Sequence, residues 1–122
     1  MTTTALALAL AVWARAPSIA AVSPGAPAAP PGFARDVAPI FDKWCVSCHG
    51  EKEAEGGLRL DSYDGLLKGS DDGPVIVPGD PEQSQLLGQM ERRIRPVMPP
   101  KKRVSRDVVS VIRAWIVSGA GP

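Results

Sequence analysis

Apolar positions recur at helical spacing in three stretches of this chain. Val37, Ile40, Phe41, Trp44 and Cys48 stand three and four residues apart, which predicts an amphipathic helix running on through Cys45–His49. Asp36 can cap its start, and Pro39 is tolerated in its first turn. Val108, Val111, Ile112, Trp115 and Ile116 form a second stripe, expected to begin at Ser105 or Arg106 and to end at Gly119. A third helix is expected to start at Pro81 with Asp80 as its cap, to pass through Leu86, Leu87 and Met90, and to stop at Pro96. The expectation is an all-α fold of three or more helices.

Ahead of these stripes, an apolar run from Ala5 to Trp13 precedes small residues around Ala20 and Ala21, the pattern of an export signal over residues 1–21. It has no basic side chain before the apolar core, since Arg15 follows it, so an uncleaved anchor stays open. The run is too short to span a bilayer comfortably. Residues 22–32, rich in Pro, Ala and Gly, read as a linker, which leaves 33–120 as one small domain.

Hydrophobic residues make up 44% and charged residues 22% of the 122, an ordinary soluble balance, but aromatics are only 5%. A domain this small and this lean in aromatics is short of core. A buried cofactor would supply the missing apolar mass, and the chain without it is expected to be poorly folded.

Cys45-Val46-Ser47-Cys48-His49 holds both cysteines and the sole histidine of the chain. The CxxCH pattern marks covalent attachment of haem c. Two thiols three positions apart can each bond a vinyl-derived carbon on one porphyrin edge, and the imidazole four residues after Cys45 lies over the same turn. Tethering the ring therefore also delivers a nitrogen to the iron at high effective concentration. A Cys45–Cys48 disulfide lacks the βαβ setting of a thioredoxin-like motif, and zinc would need about four ligands where the chain offers the same three side chains and scattered acids.

Of the three methionines, Met1 is the initiator and Met90 falls on a helical core stripe. Met98, in Met98-Pro99-Pro100, is the better sixth ligand. The prolines fix φ and donate no hydrogen bond, so they are expected to stiffen the loop beside the iron. The alternative role for Met98 is simple coverage of apolar surface.

Asp36-Val37-Ala38-Pro39-Ile40 leading into Cys45, Cys48 and His49, then Gly57-Leu58-Arg59-Leu60-Asp61, Gly73 to Pro81 with Ser84 and Leu86-Leu87, Met98-Pro99-Pro100, and Trp115-Ile116 with Gly119-Ala120 occur in that order. From Phe33 to Gly119 the chain resembles a planctomycete-type cytochrome c domain. The resemblance implies a class I cytochrome c fold wrapped around one haem c, with His49 and Met98 on opposite faces of the iron. Such domains are commonly joined to larger C-terminal regions, whereas this sequence stops at Pro122, as a diffusible carrier or small subunit would.

With both axial positions filled by protein, a haem passes single electrons and does little bond chemistry. The expected function is electron transfer between extracytoplasmic redox partners rather than catalysis. A haem-based redox or gas sensor, or a small haem subunit of a larger oxidoreductase, are the alternatives. A peroxidase would need an open iron face and a distal base, and no second imidazole exists. Export fits, because haem c is attached outside the cytoplasm in bacteria, giving a periplasmic or anchored location.

Without the leader, acidic and basic residues balance, but they separate along the chain. Arg92, Arg93, Arg95, Lys101, Lys102, Arg103 and Arg106 flank Met98, while Glu51, Glu53, Glu55, Asp61, Asp64, Asp71 and Asp72 follow His49. A positive Met98 side would steer an acidic redox partner. These charges could instead be solvated, or could neutralise haem propionates. Arg59 and Tyr63 are further candidates for hydrogen bonds to the propionates. Nucleic acid is not expected as a partner, and with no apolar surface left over the expected state is a monomer.

Overall fold

The computed structural model describes residues 29–122. The expected leader and the first part of the linker lie outside the described residues. A π-helical turn, Phe33–Val37, leads into α1 (Ala38–Trp44); α2 is Tyr63–Lys68, α3 is Gln85–Met90 and α4 is Arg106–Val117. A 3-10 turn occupies Glu55–Gly57. Among the described residues no strand forms, only two isolated bridges, His49 with Ala54 and Ser70 with Gly73. The architecture is all-α, as expected.

One core joins these short elements. Val37, Phe41, Leu66, Leu87, Ile112, Trp115 and Ile116 are fully buried. Phe33 packs its ring against Phe41, Tyr63 and Trp115, with centroids 6.2, 5.3 and 6.1 Å apart. The Tyr63 hydroxyl donates to the Ala120 carbonyl at 2.8 Å, and Trp115 Nε1 donates to Gly121 at 2.8 Å. The chain end is thereby tied down over the aromatic cluster, and Tyr63 uses its hydroxyl there.

α4 follows the sequence expectation closely. Ser105 Oγ accepts from Val108 N, and the helix ends where Gly119 takes φ 108°. The bonds Gly119 N to Ile116 O and Ala120 N to Trp115 O satisfy the last carbonyls, a Schellman ending that favours glycine at that position.

The other two predicted helices are shorter than their apolar stripes. α1 does not run through the CxxCH motif. It stops at Trp44, where Cys45 N and Val46 N both bond to Phe41 O at 2.8 and 2.9 Å and Cys45 turns to φ −127°. Asp36 does not cap α1 either: its carboxylate accepts from Gly32 N at 2.9 Å and closes the preceding π-helical turn, while Pro39 does sit in the first turn of α1.

α3 begins at Gln85, four residues after Pro81. Asp80 Oδ1 still accepts from Gln83 N at 3.2 Å, but it caps a turn. Ser84 is 0% exposed, and its hydroxyl bonds Val77 N and Asp80 O, both at 2.9 Å. That pinning holds residues 77–84 as a loop, and Gly88 N to Ser84 O then opens the helix. It ends at Met90, well before Pro96, because Arg92 takes φ 65° and Arg93 N reaches back to Gly88 O. α2 was not foreseen; its six residues are capped by Ser62 Oγ accepting from Gly65 N at 3.0 Å.

Candidate haem site

Cys45–His49 forms a single turn closed by His49 N to Cys45 O at 2.9 Å. The four-residue relation between Cys45 and His49 therefore survives although α1 has ended. Gly50 follows under tight packing: a Cβ there would stand 3.0 Å from Val46 Cγ1 and closer still to the Val46 carbonyl oxygen. The chain then doubles back, with Glu55 N on Cys48 O at 3.0 Å and Leu60 N on His49 O at 2.7 Å.

This return fixes the imidazole. His49 Nδ1 lies 3.1 Å from the Glu55 carbonyl oxygen. A carbonyl only accepts, so Nδ1 carries the proton and Nε2 keeps its lone pair free for a metal.

Cys45, Cys48, His49 and Met98 all line one cavity of about 310 Å³ that is open to solvent. Its apolar wall is Trp44, Leu58, Leu60, Val75, Leu86 and Met90, and the rim is completed by Pro96, Pro99 and Pro100. The four residues singled out from the sequence, 53 positions apart at their extremes, thus converge on one hollow. Met98 is brought there by backbone: Met98 N donates to Gln89 O at 3.1 Å, anchoring its loop to the end of α3. Gly88 lets Ile94 pack against α3 in the same loop, since a Cβ would stand 2.8 Å from Ile94 Cγ1.

Both cysteines are free. Burial pushes the Cys45 thiol up to about 11, with the neighbouring Cys48 adding to the shift. A redox-active CxxC has the opposite shift, a thiol lowered towards neutrality, so the environment of Cys45 does not resemble a thiol–disulfide centre. Among the described residues no group of three or more His, Cys, Asp and Glu side chains is placed to hold a metal ion.

Four features of the cavity escaped the sequence. Met90 is 4% exposed, as core packing predicts, yet it also forms part of the cavity wall. Gln85 and Gln89, one helical turn apart on α3, face the same space, as do Ser70 and Asp72 from the loop after α2. None of the basic side chains flanking Met98 lines the cavity; its acidic lining residues are Glu55 and Asp72. Arg59 pairs with Asp61 at 2.6 Å, on the surface.

Residues 45–102 match the Planctomycete cytochrome C family model. The resemblance read from the sequence is borne out. The matched segment carries the CxxCH turn, α2, α3 and the Met98 loop. No curated protein and no solved structure matches the chain. The site fits the cofactor of a cytochrome c domain: two free thiols, an imidazole with Nε2 available, a thioether and an apolar wall share one hollow.

Proposed function

We propose that this protein is a mono-haem c-type cytochrome of the class I fold that carries single electrons and catalyses no reaction of its own. The convergence of Cys45, Cys48, His49 and Met98 on one cavity carries the reading. Haem c, when bound, supplies a one-electron couple.

Cys45 and Cys48 would hold the ring covalently. His49 Nε2, with the ring oriented by the Glu55 carbonyl, would bind the iron, and the hydrogen bond at Nδ1 raises its basicity. Met98 would supply the second ligand to the iron. Its thioether sits on a loop held by the Gln89 carbonyl and followed by Pro99 and Pro100, so few conformations compete with ligation. Met ligation favours the ferrous state relative to a second histidine. Leu58, Leu60, Val75 and Leu86, which line the cavity, would keep water from a bound haem and so limit reorganisation on electron transfer.

Residues 1–21 export the chain and 22–32 tether the domain 33–120, which works outside the cytoplasm as a monomer. No helix among the described residues is long and apolar enough to cross a membrane. Arg92, Arg95, Lys101, Lys102, Arg103 and Arg106 are exposed, and among the described residues they join no ion pair. They are available to steer an acidic redox partner.

The test is expression of the full chain with haem-attachment machinery, followed by spectra of native and denatured protein. Haem retained after denaturation, with a ferric thioether charge-transfer band lost in Met98→Ala, is the expected result. Haem that extracts freely refutes the attachment. A band that persists in Met98→Ala but disappears in Met90→Leu moves the sixth ligand to α3.

A further inference from the structure

A second hollow, of about 340 Å³, is lined by Met90, Glu91, Arg92, Arg103, Val104, Arg106, Val109, Ser110 and Arg113. Four of these nine residues are arginines. Arg106, Val109, Ser110 and Arg113 recur at helical spacing along one face of α4, and Arg92 and Glu91 come from the end of α3.

The charges are unevenly matched. Arg113 is committed: its guanidinium donates to Glu91 at 2.7 and 2.9 Å and to Glu82 at 2.8 Å. Glu91, the hollow's carboxylate, is already held by Arg113 and by Arg93 at 2.7 Å. The Ser110 hydroxyl proton is directed to the Asp107 carbonyl at 2.6 Å. Arg92, Arg103 and Arg106 have no ion pair or side-chain hydrogen bond among the described residues. Each presents five N–H donors and no acceptor. Three unpaired guanidinium groups around one concavity repel one another unless an anion lies between them.

We infer that this hollow binds a small polyvalent oxyanion of the phosphate type, held by Arg92, Arg103 and Arg106 over the apolar floor of Val104, Val109 and Met90. A tetrahedral oxyanion can accept from several guanidinium forks at once, which a lone surface lysine cannot offer. The paired Arg113 and Glu91 form a fixed, nearly neutral wall. The hollow is separate from the haem cavity and shares only Met90 with it, so the inference does not depend on haem attachment.

The test is calorimetric titration of the full-length purified protein with inorganic phosphate, against chloride at matched ionic strength. Saturable uptake of one phosphate is expected, weakened about tenfold or more by Arg103→Ala and by Arg106→Ala, one charge-assisted contact each. Arg59→Ala, which removes an arginine remote from the hollow's lining, is expected to bind as the wild type does. Unchanged thermal midpoints show that the variants fold. Parallel titrations with sulfate and glycerol phosphate separate the sources: equal affinity marks a free oxyanion, and tighter binding of the ester marks an organic phosphate. Absence of saturable binding, equal heats with chloride, or equal loss in Arg59→Ala overturns the inference. So does binding of an acidic polypeptide in the absence of phosphate binding, which would make the surface a protein-docking patch.

Discussion

Ser84→Ala tests whether one buried hydroxyl sets the start of α3 and thereby one wall of the haem cavity. Ser84 is 0% exposed, and it is the polar side chain of an otherwise apolar core. Its oxygen accepts from Val77 N at 2.9 Å, and its single proton goes to Asp80 O at 2.9 Å, with Val77 O 3.3 Å away. Alanine removes both bonds and leaves a backbone N–H without its partner. Two net hydrogen bonds at about 1 kcal/mol each, with part of the desolvation cost of the stranded donor, give a loss of about 2–3 kcal/mol. For a domain of this size that lowers the thermal midpoint by roughly 10–20 °C. Asp80→Ala, in the same turn, removes one exposed bond to Gln83 N at 3.2 Å and should cost only about 0.5–1 kcal/mol. Urea titration of the haem-loaded protein, followed by far-ultraviolet circular dichroism and by Soret absorbance, measures both. Equal losses for the two variants, or a Ser84→Ala loss below about 0.5 kcal/mol, would show that water replaces the hydroxyl and that the turn does not depend on it.

Gly88→Ala gains about 1 kcal/mol of helix propensity but forces Ile94 off the end of α3 at an overpacking cost of about 1–3 kcal/mol. The net loss of stability should therefore be small, while the Met98 charge-transfer band melts ahead of the global transition. A band that melts together with the fold would show that the packing of Ile94 on α3 does not control the Met98 loop. At Glu91, burial on its own would raise the carboxyl, but hydrogen bonds from Arg93 and Arg113 outweigh it and hold the group below its usual value. Its contribution is present above the unfolded carboxylate pKa of about 4.3 and is lost as pH falls through the lower folded value. Acid titration of stability should accordingly be shallower in Glu91→Gln than in the wild type, and parallel curves would contradict the assignment. Asp72→Asn removes a negative charge from the haem cavity lining, which should favour the ferrous state and raise the reduction potential by something on the order of tens of mV. Spectroelectrochemistry reads the shift, and a fall in potential would show that Asp72 acts through hydrogen bonding rather than charge.

Chemistry carried by adjacent residues was legible in the sequence. Cys45, Cys48 and His49 lie within one turn, so their cooperation needs no tertiary contact beyond that turn. The stripe Val108–Ile116 and the Ser105 cap likewise specify α4 from local information, because period and cap belong to the same stretch of chain. Tertiary structure decided where helices stop. α1 ends before the CxxCH motif through a forked bond at Phe41 O, and α3 starts late because Ser84 bonds back to Val77. Apolar periodicity records which face is buried, whereas helix ends depend on where each backbone donor and acceptor finds a partner, often in another segment. The same distinction governs the site. The sequence nominated Met98 by its chemistry, but only the folded chain shows that Met90, Gln85, Gln89 and Asp72 share its cavity and that three of the arginines flanking Met98 in sequence, Arg92, Arg103 and Arg106, gather instead around a different hollow. Proximity in space between residues of different elements is set by how α3 and α4 pack, and no local pattern encodes it.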